Sequence, residues 1–247
     1  MPIEFAGNGS GTLMISIDRR AADLFVKPGT VVYDMGAYVG TTAASYLARG
    51  AAAVYAFEPL PRNRERMPAE LRSDPRFHLL PLALSEAAGT TTLKIPLHND
   101  GGGSLSTRFA EHIRQRRNAA GWEEEVVDVA ALDDLALPPA DFWKIDVEGE
   151  ELPLLRGAEA TLRRAPPRVL QVEIFRHERA LFIETLEHLR VRFRHVWALG
   201  YSPEGKLIHY PVTAANIFRR RFYHDIARAG TPHYFASMQP FWDLIRR

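Results

Sequence analysis

Three short blocks carry residue types that can do chemistry, spaced so that each falls at the end of an apolar run. The first is Val31-Val32-Tyr33-Asp34-Met35-Gly36-Ala37-Tyr38-Val39-Gly40: an apolar stretch, a carboxylate, then two glycines opening an amphipathic segment. Glycines let a backbone turn sharply and approach a ligand closely, and a following helix adds unpaired N–H groups. A dinucleotide fingerprint would run G-x-G-x-x-G, whereas this chain runs D-x-G-x-x-x-G. A carboxylate there repels a pyrophosphate and suits a cationic ligand, such as one carrying an amino group and a sulfonium. The second block, Ala56-Phe57-Glu58-Pro59, closes the next apolar run with an acid. An acid at that place can accept hydrogen bonds from ribose hydroxyls, which serves NAD and S-adenosylmethionine equally. Asp34 and Glu58 together indicate a nucleoside-containing cofactor.

The third block is Phe142-Trp143-Lys144-Ile145-Asp146-Val147-Glu148-Gly149-Glu150-Glu151. Strand alternation puts Phe142, Lys144 and Asp146 on one face, so the ammonium needs a partner, with Asp146 and Glu173 as candidates. Asp146 and Glu148 stand at the ligand edge. His177 follows Glu173 by one loop that is expected to overhang the site, although a lone histidine there is more often a surface residue. No His-x-x-His or repeated Asp-x-Asp spacing occurs, so a metal is not indicated. Arg114, Arg116 and Arg117, and again Arg219 to Arg221, are basic clusters that could meet an anionic acceptor, with solvated helix faces as the plainer reading.

These blocks need a scaffold, and the pattern around them supplies one. Strands are expected at Thr30 to Asp34, Ala52 to Phe57, Phe77 to Leu80, Phe142 to Asp146 and Val169 to Ile174. Helices are expected at Tyr38 to Arg49, Pro61 to Leu71, Glu150 to Arg164 and Arg179 to Leu189. Short apolar runs alternating with amphipathic segments argue for crossover units, hence an α/β domain with a mostly parallel sheet. Further β segments fit Thr90 to Ile95, Glu124 to Val129, Phe193 to Leu199 and Lys206 to Tyr210, and short helices fit Arg108 to Asn118 and Leu132 to Leu137. The glycine-rich run between Pro96 and Thr107 has little to bury and reads as a mobile loop on the acceptor side of the cleft. Residues 1–29 read as a lead-in, 30–217 as the domain, and 218–247, rich in arginine and aromatics, as a helical tail over one edge.

Composition narrows the function classes. The chain has 247 residues, 46% hydrophobic and 25% charged, values of a globular protein. Lys plus Arg number 31 against 30 acids, so no global charge steers the chain toward nucleic acid or an anionic membrane. Cysteine is absent, which removes thiolate zinc sites and a cysteine nucleophile. The first residues have no signal-peptide pattern and no stretch approaches the ~20 apolar residues of a membrane helix, so a cytoplasmic protein is expected.

The blocks Asp34 to Gly40, Tyr55 to Pro59 and Lys144-Ile-Asp-Val-Glu-Gly149, with Leu155-Arg-Gly157 after the last, resemble the FkbM-type S-adenosylmethionine-dependent methyltransferases. The similarity runs from about Thr30 to Ile174, and the Lys-Ile-Asp-Val-Glu-Gly block is its most specific part. Tyr38 stands where that family usually has asparagine. The resemblance implies a Rossmann-like class I methyltransferase fold, a seven-stranded sheet with helices on both faces, and S-adenosylmethionine as cofactor. It implies methyl transfer mostly to hydroxyl oxygen of sugars or secondary metabolites, so the expected partner is a small-molecule or carbohydrate acceptor. Carried over, Asp34, Gly36, Ala37, Tyr38 and Gly40 hold the methionine part, Glu58 and Pro59 the ribose, and Ala83 or Ser85 lies near the adenine. Asp146 and Glu148 face the reacting centre, with His177 the first candidate for the base. An NAD-dependent oxidoreductase and a catalytically silent cofactor-binding protein are the alternatives.

Overall fold

The computed structural model describes residues 10–97, 104–116, 121–175, 179–201, 207–217 and 233–245. Helix α1 (Ser10–Phe25) buries Ile17, Ala21, Ala22 and Phe25, a helical stripe on one face. Strand β1 (Val31–Met35), α2 (Thr41–Ala48) and β2 (Ala53–Phe57) form the first crossover, and α3 (Pro61–Glu65) and α4 (Ala69–Ser73) lead into β3 (Phe77–Leu80). Then come β4 (Ala83–Leu84), β5 (Gly89–Pro96), α5 (Thr107–Arg116) and β6 (Trp122–Ala130). The second half runs β7 (Phe142–Ile145), α6 (Glu151–Arg156), α7 (Glu159–Arg164), β8 (Val169–Glu173), α8 (Arg179–Arg192), β9 (His195–Tyr201), β10 (Leu207–Pro211), β11 (His233–Ser237) and α9 (Phe241–Ile245).

The main sheet has the order β10-β9-β11-β8-β7-β1-β2-β3. The five strands from β8 to β3 are parallel, and β11, β9 and β10 are antiparallel. Helices cover both faces. Tyr33, Trp143, Leu170 and Tyr234 pack with Leu154 of α6 and Leu186 of α8 on one side, and Val32, Phe142, Val169 and Phe235 with Phe25 of α1 and Tyr46 of α2 on the other. Burying each such large side chain contributes about 1.5–3 kcal/mol. A small second sheet, β4-β6-β5, stands beside the parallel edge. The fold is the expected α/β architecture with eight strands in place of seven, the unexpected one being β11.

Four local expectations are corrected, each for a physical reason. The first helix starts at Thr41 because Tyr38 and Gly40 have φ of 53° and 78°, outside the helical region. The Pro61 to Leu71 helix breaks at Pro68, which has no N–H to continue it. The Glu150 to Arg164 helix breaks between α6 and α7, where a Cβ on Gly157 would lie 2.1 Å from the Ser85 carbonyl oxygen. Leu132 to Leu137 shortens to a 3-10 turn over Leu132–Asp134.

The tail differs most. Over its described part, β11 inserts between β8 and β9 with all five residues buried, followed by the short α9. A strand covered on both faces shows no polar alternation, so composition alone could not reveal it. Residues 233–237 are thus part of the main sheet, and 218–232 lie outside the described residues.

Candidate active site

The carboxyl ends of β1, β2 and β7, together with β4 and the side sheet, line an open cleft of about 190 Å³. This is the edge at which open α/β sheets bind ligands. The turn after β1 explains how three strand ends meet. Gly36 has φ 88°, and a Cβ there would lie 1.9 Å from the Asp146 carbonyl oxygen, so only glycine lets β1 and β7 close up. The N–H groups of Gly36 and Ala37 both donate to the Phe57 carbonyl, at 3.1 and 2.9 Å, tying the same turn to β2.

Glu58 ends β2 on the cleft wall and is 5% exposed. Its Oε1 accepts the Leu60 N–H at 2.9 Å and the Asn63 Nδ2 at 3.1 Å, and its Oε2 accepts the Tyr38 N–H at 2.8 Å. Burial pushes this carboxyl upward while the three donors pull it down. A carboxylate has about four acceptor positions, so one remains on Oε2 for a ligand hydroxyl. Tyr38 holds the left-handed conformation that directs its N–H to Glu58, and the Arg66 guanidinium lies 5.5 Å over its ring.

Lys144 is almost fully buried and contacts both sides of the turn. Its Nζ lies 3.2 Å from Asp146 Oδ2, 3.3 Å from the Gly36 carbonyl and 3.6 Å from Asp34 Oδ1. Of the two candidate partners Asp146 is present and Glu173 is not; Asp34 takes the other place. The cause is register: in the parallel β1–β7 pair Asp34 stands opposite Lys144, so the two side chains share a face. Burial pushes the Asp34 carboxyl up to about 6, with Lys144 pulling the other way, and neither carboxylate oxygen has a hydrogen bond among the described residues. The lysine keeps its charge, because Asp146 and Asp34 outweigh burial and hold it above its ordinary value.

Asp146 and Glu148 both reach the cleft wall. Glu148 sits in the left-handed region at φ 55°, and its carbonyl accepts the Ser104 hydroxyl. Ser104, itself buried, pairs with Lys94 of β5, and Leu105 beside it lines the cleft. The glycine-rich run therefore returns to the wall at its carboxyl end, while residues 98–103 lie outside the described part. Behind the wall Glu151 accepts the Gly149 N–H, and burial pushes its carboxyl up to about 7. Glu173 is pushed well above the ordinary range by burial and then by the charges of Asp146, Glu148 and Asp18.

Of the residues expected at the site, the structure brings Gly36, Tyr38, Glu58, Pro59, Ala83, Asp146 and Glu148 together on one wall. Asp34, Ala37, Gly40 and Ser85 are not on it. Asp34 faces Lys144 inside the sheet layer, Ala37 and Gly40 shape the turn, and Ser85 donates its hydroxyl to Glu150 at 2.7 Å. His177 lies outside the described residues. Two polar wall residues escaped the sequence reading: Asn63, which braces Glu58 from α3, and Glu150, which reads as no more than a helix start.

A cleft at the carboxyl edge of this sheet, with a glycine turn after β1 and a buried acid ending β2, is where open α/β sheets take nucleoside-containing cofactors. The Methyltransferase FkbM domain model matches residues 34–203, most of the chain, and the protein belongs to that family. Among solved structures, the methyltransferase FkbM from Methylobacillus flagellatus KT has 17% identity and a TM-score of 0.50, covering 80% of this chain and 51% of its own. The chain thus spans about half the length of that protein. Precorrin-6y C5,15-methyltransferase from Geobacter metallireducens GS-15 has 15% identity and a TM-score of 0.47, covering 96% and 95%. No curated protein matches.

S-adenosylmethionine is the cofactor, and the residues present fit it: a backbone cradle at Gly36 and a buried acid with a spare acceptor position on the wall of an open cleft. Glu58→Ala is expected to weaken binding of S-adenosylhomocysteine by about 1.5–3 kcal/mol, the scale of charge-assisted hydrogen bonds. Calorimetric titration checks this, and an unchanged affinity would remove Glu58 from the ribose contact.

Proposed function

We propose that this methyltransferase acts on a hydroxyl oxygen of a small molecule or carbohydrate. The observation that supports this most is that one cleft joins Glu58 to Asp146 and Glu148, with Leu105 at its border. When bound, the cofactor supplies an electrophilic methyl group on sulfonium sulfur. Glu58 and the Gly36 turn hold it, and Asp146, fixed by Lys144, orients sulfonium and acceptor. As the oxygen–carbon bond forms and the carbon–sulfur bond breaks, the hydroxyl proton passes to a base, either His177 or Glu148. Opposite charges do not build up strongly in such a displacement, so alignment and deprotonation are the main requirements.

Incubation with an acceptor library and methyl-labelled cofactor, read by mass spectrometry, tests the reading. Label found only in nitrogen- or carbon-methyl products would exclude a hydroxyl acceptor, and cofactor binding without any product would favour a silent protein. The acceptor side in this reading is the returning end of the glycine-rich run, which Leu105 on the cleft border supports. Ser104→Ala, which frees the Glu148 carbonyl, is expected to lower kcat about fivefold, the equivalent of one ordinary hydrogen bond, and to leave cofactor affinity unchanged. Parallel loss of both would mean that Ser104 serves the cofactor side.

A further inference from the structure

One buried carboxyl behind the cleft wall has no part in the chemistry above. Glu173 ends β8 and is 3% exposed. In the parallel β7–β8 pair Lys144 stands opposite Gln171 and Ile145 opposite Val172. One residue further on, Asp146 and Glu173 are therefore neighbours, on the face that carries Lys144. On the other side β11 places His233 opposite Glu173. Helix α1 covers this layer, where Asp18 accepts a hydrogen bond from the Gln171 amide. Glu173 Oε1 is buried and has no hydrogen-bond partner among the described residues.

The surrounding charges decide which form this carboxyl takes. The carboxylates of Asp146, Glu148 and Asp18 act on it from the end of β7, the turn after it and α1. His233 faces it from β11, with Nδ1 turned to Gln171 Nε2 at 3.4 Å and Asp18 Oδ1 at 3.7 Å. Lys144 is the opposing cation, and its Nζ is already divided between Asp146, the Gly36 carbonyl and Asp34. A buried carboxyl among like charges keeps its proton, as where two carboxylates occupy one site. Burial, and after it Asp146, accordingly push Glu173 well above the ordinary range. A neutral carboxylic acid has one O–H to donate, and burying it without an acceptor is costly. Asp146 is the neighbouring acceptor, and Lys144 engages only its Oδ2.

We propose that Glu173 is a positioning residue for methyl transfer, a neutral carboxylic acid that donates its hydrogen to the Asp146 carboxylate and, with Lys144, fixes that group from two sides. The inference rests on the reading in which Asp146 orients sulfonium and acceptor.

Infrared spectra of the protein without cofactor or acceptor give the first test. At pH 7 the unaltered protein is expected to show the carbonyl stretch of a protonated carboxylic acid that is missing in Glu173→Gln. In Asp146→Asn the pH at which this band disappears is expected to fall by about one unit or more, because the like charge beside Glu173 is gone. The second test is turnover of a library acceptor. As pH rises and Glu173 ionises, two adjacent carboxylates repel and kcat of the unaltered protein falls. Glu173→Gln, whose amide donates without ionising, is expected to lower kcat only about threefold at pH 7 and to lack this alkaline fall. Glu173→Met is expected to lower kcat about tenfold or more, the scale of one hydrogen bond to a charged group, with S-adenosylhomocysteine affinity unchanged. Absence of the Glu173 band at pH 7 would overturn the proposal, as would a band whose midpoint ignores Asp146→Asn. Equal losses of kcat in Glu173→Gln and Glu173→Met, or an alkaline fall that survives in Glu173→Gln, would also overturn it. The infrared arm needs no reaction and does not depend on Glu173→Met folding. Label found only in nitrogen- or carbon-methyl products would thus end the hydroxyl reading while a responsive Glu173 band still upheld the Asp146 contact.

Discussion

Lys144→Met is expected to lower the free energy of unfolding by about 3–5 kcal/mol at pH 8, the usual cost of removing one partner from a buried charged group, and by clearly less at pH 5. The pH dependence follows from Asp34. Its carboxyl titrates at about 6 in the folded protein, above the ~3.9 of an unfolded chain. A carboxyl raised in this way contributes stability below about pH 4 and loses it as pH rises through 6, because the unfolded state then releases its proton more readily. Without the ammonium the folded value moves still higher, so more stability is lost by pH 8. At pH 5 Asp34 is largely neutral and needs no counter-charge. Glu151, at about 7, is raised by burial with no part played by Lys144 and cancels from the comparison, whereas Glu173, which Lys144 pulls down, moves higher in the variant and adds to the same loss at pH 8. Denaturant titrations at the two pH values measure the difference. A penalty equal at both, or larger at pH 5, would mean that Asp34 is not the group that depends on Lys144.

The legible parts of this site are those whose chemistry is local. A glycine turn after an apolar run, an acid ending the next run, and an Asp-x-Glu-Gly sequence after a third each announce themselves within ten residues, and Gly36, Glu58, Asp146 and Glu148 do meet on one wall. What was not legible depends on partners far away in the chain. Asp34 reads as a ligand group until its register with Lys144 is known, and that register is set by strands more than a hundred residues apart. Glu150 acquires a fixed carboxylate only through Ser85, 65 residues before it. The C-terminal strand is hidden for another reason: Tyr234, Phe235 and Ala236 are buried on both sides of the sheet, so the two-residue period that marks a half-exposed strand is missing. The broken helices were more nearly readable, since Pro68 and Gly157 are visible signals that helical periodicity outweighed.

The proton acceptor has the largest expected effect on turnover. A neutral hydroxyl is a poor nucleophile, and a positioned base contributes ~10²–10⁴-fold. Among the described wall residues Asp146 is occupied with Lys144, which suits an orienting group better than one that must take up a proton. Glu148 is on the wall with its backbone held by Ser104, and it can act as base or orient an imidazole. His177, just past the β8 end, has an ordinary value of ~6.5, matched to accepting a proton near neutral pH. His177→Ala is therefore expected to lower kcat at least ~10²-fold, to leave S-adenosylhomocysteine affinity intact, and to remove the acidic limb of the pH–rate profile. Near-normal turnover with the same acidic limb would transfer the role to Glu148. In that case Glu148→Gln is the variant expected to carry the ~10²-fold loss, since an amide of the same shape keeps the turn but cannot take the proton.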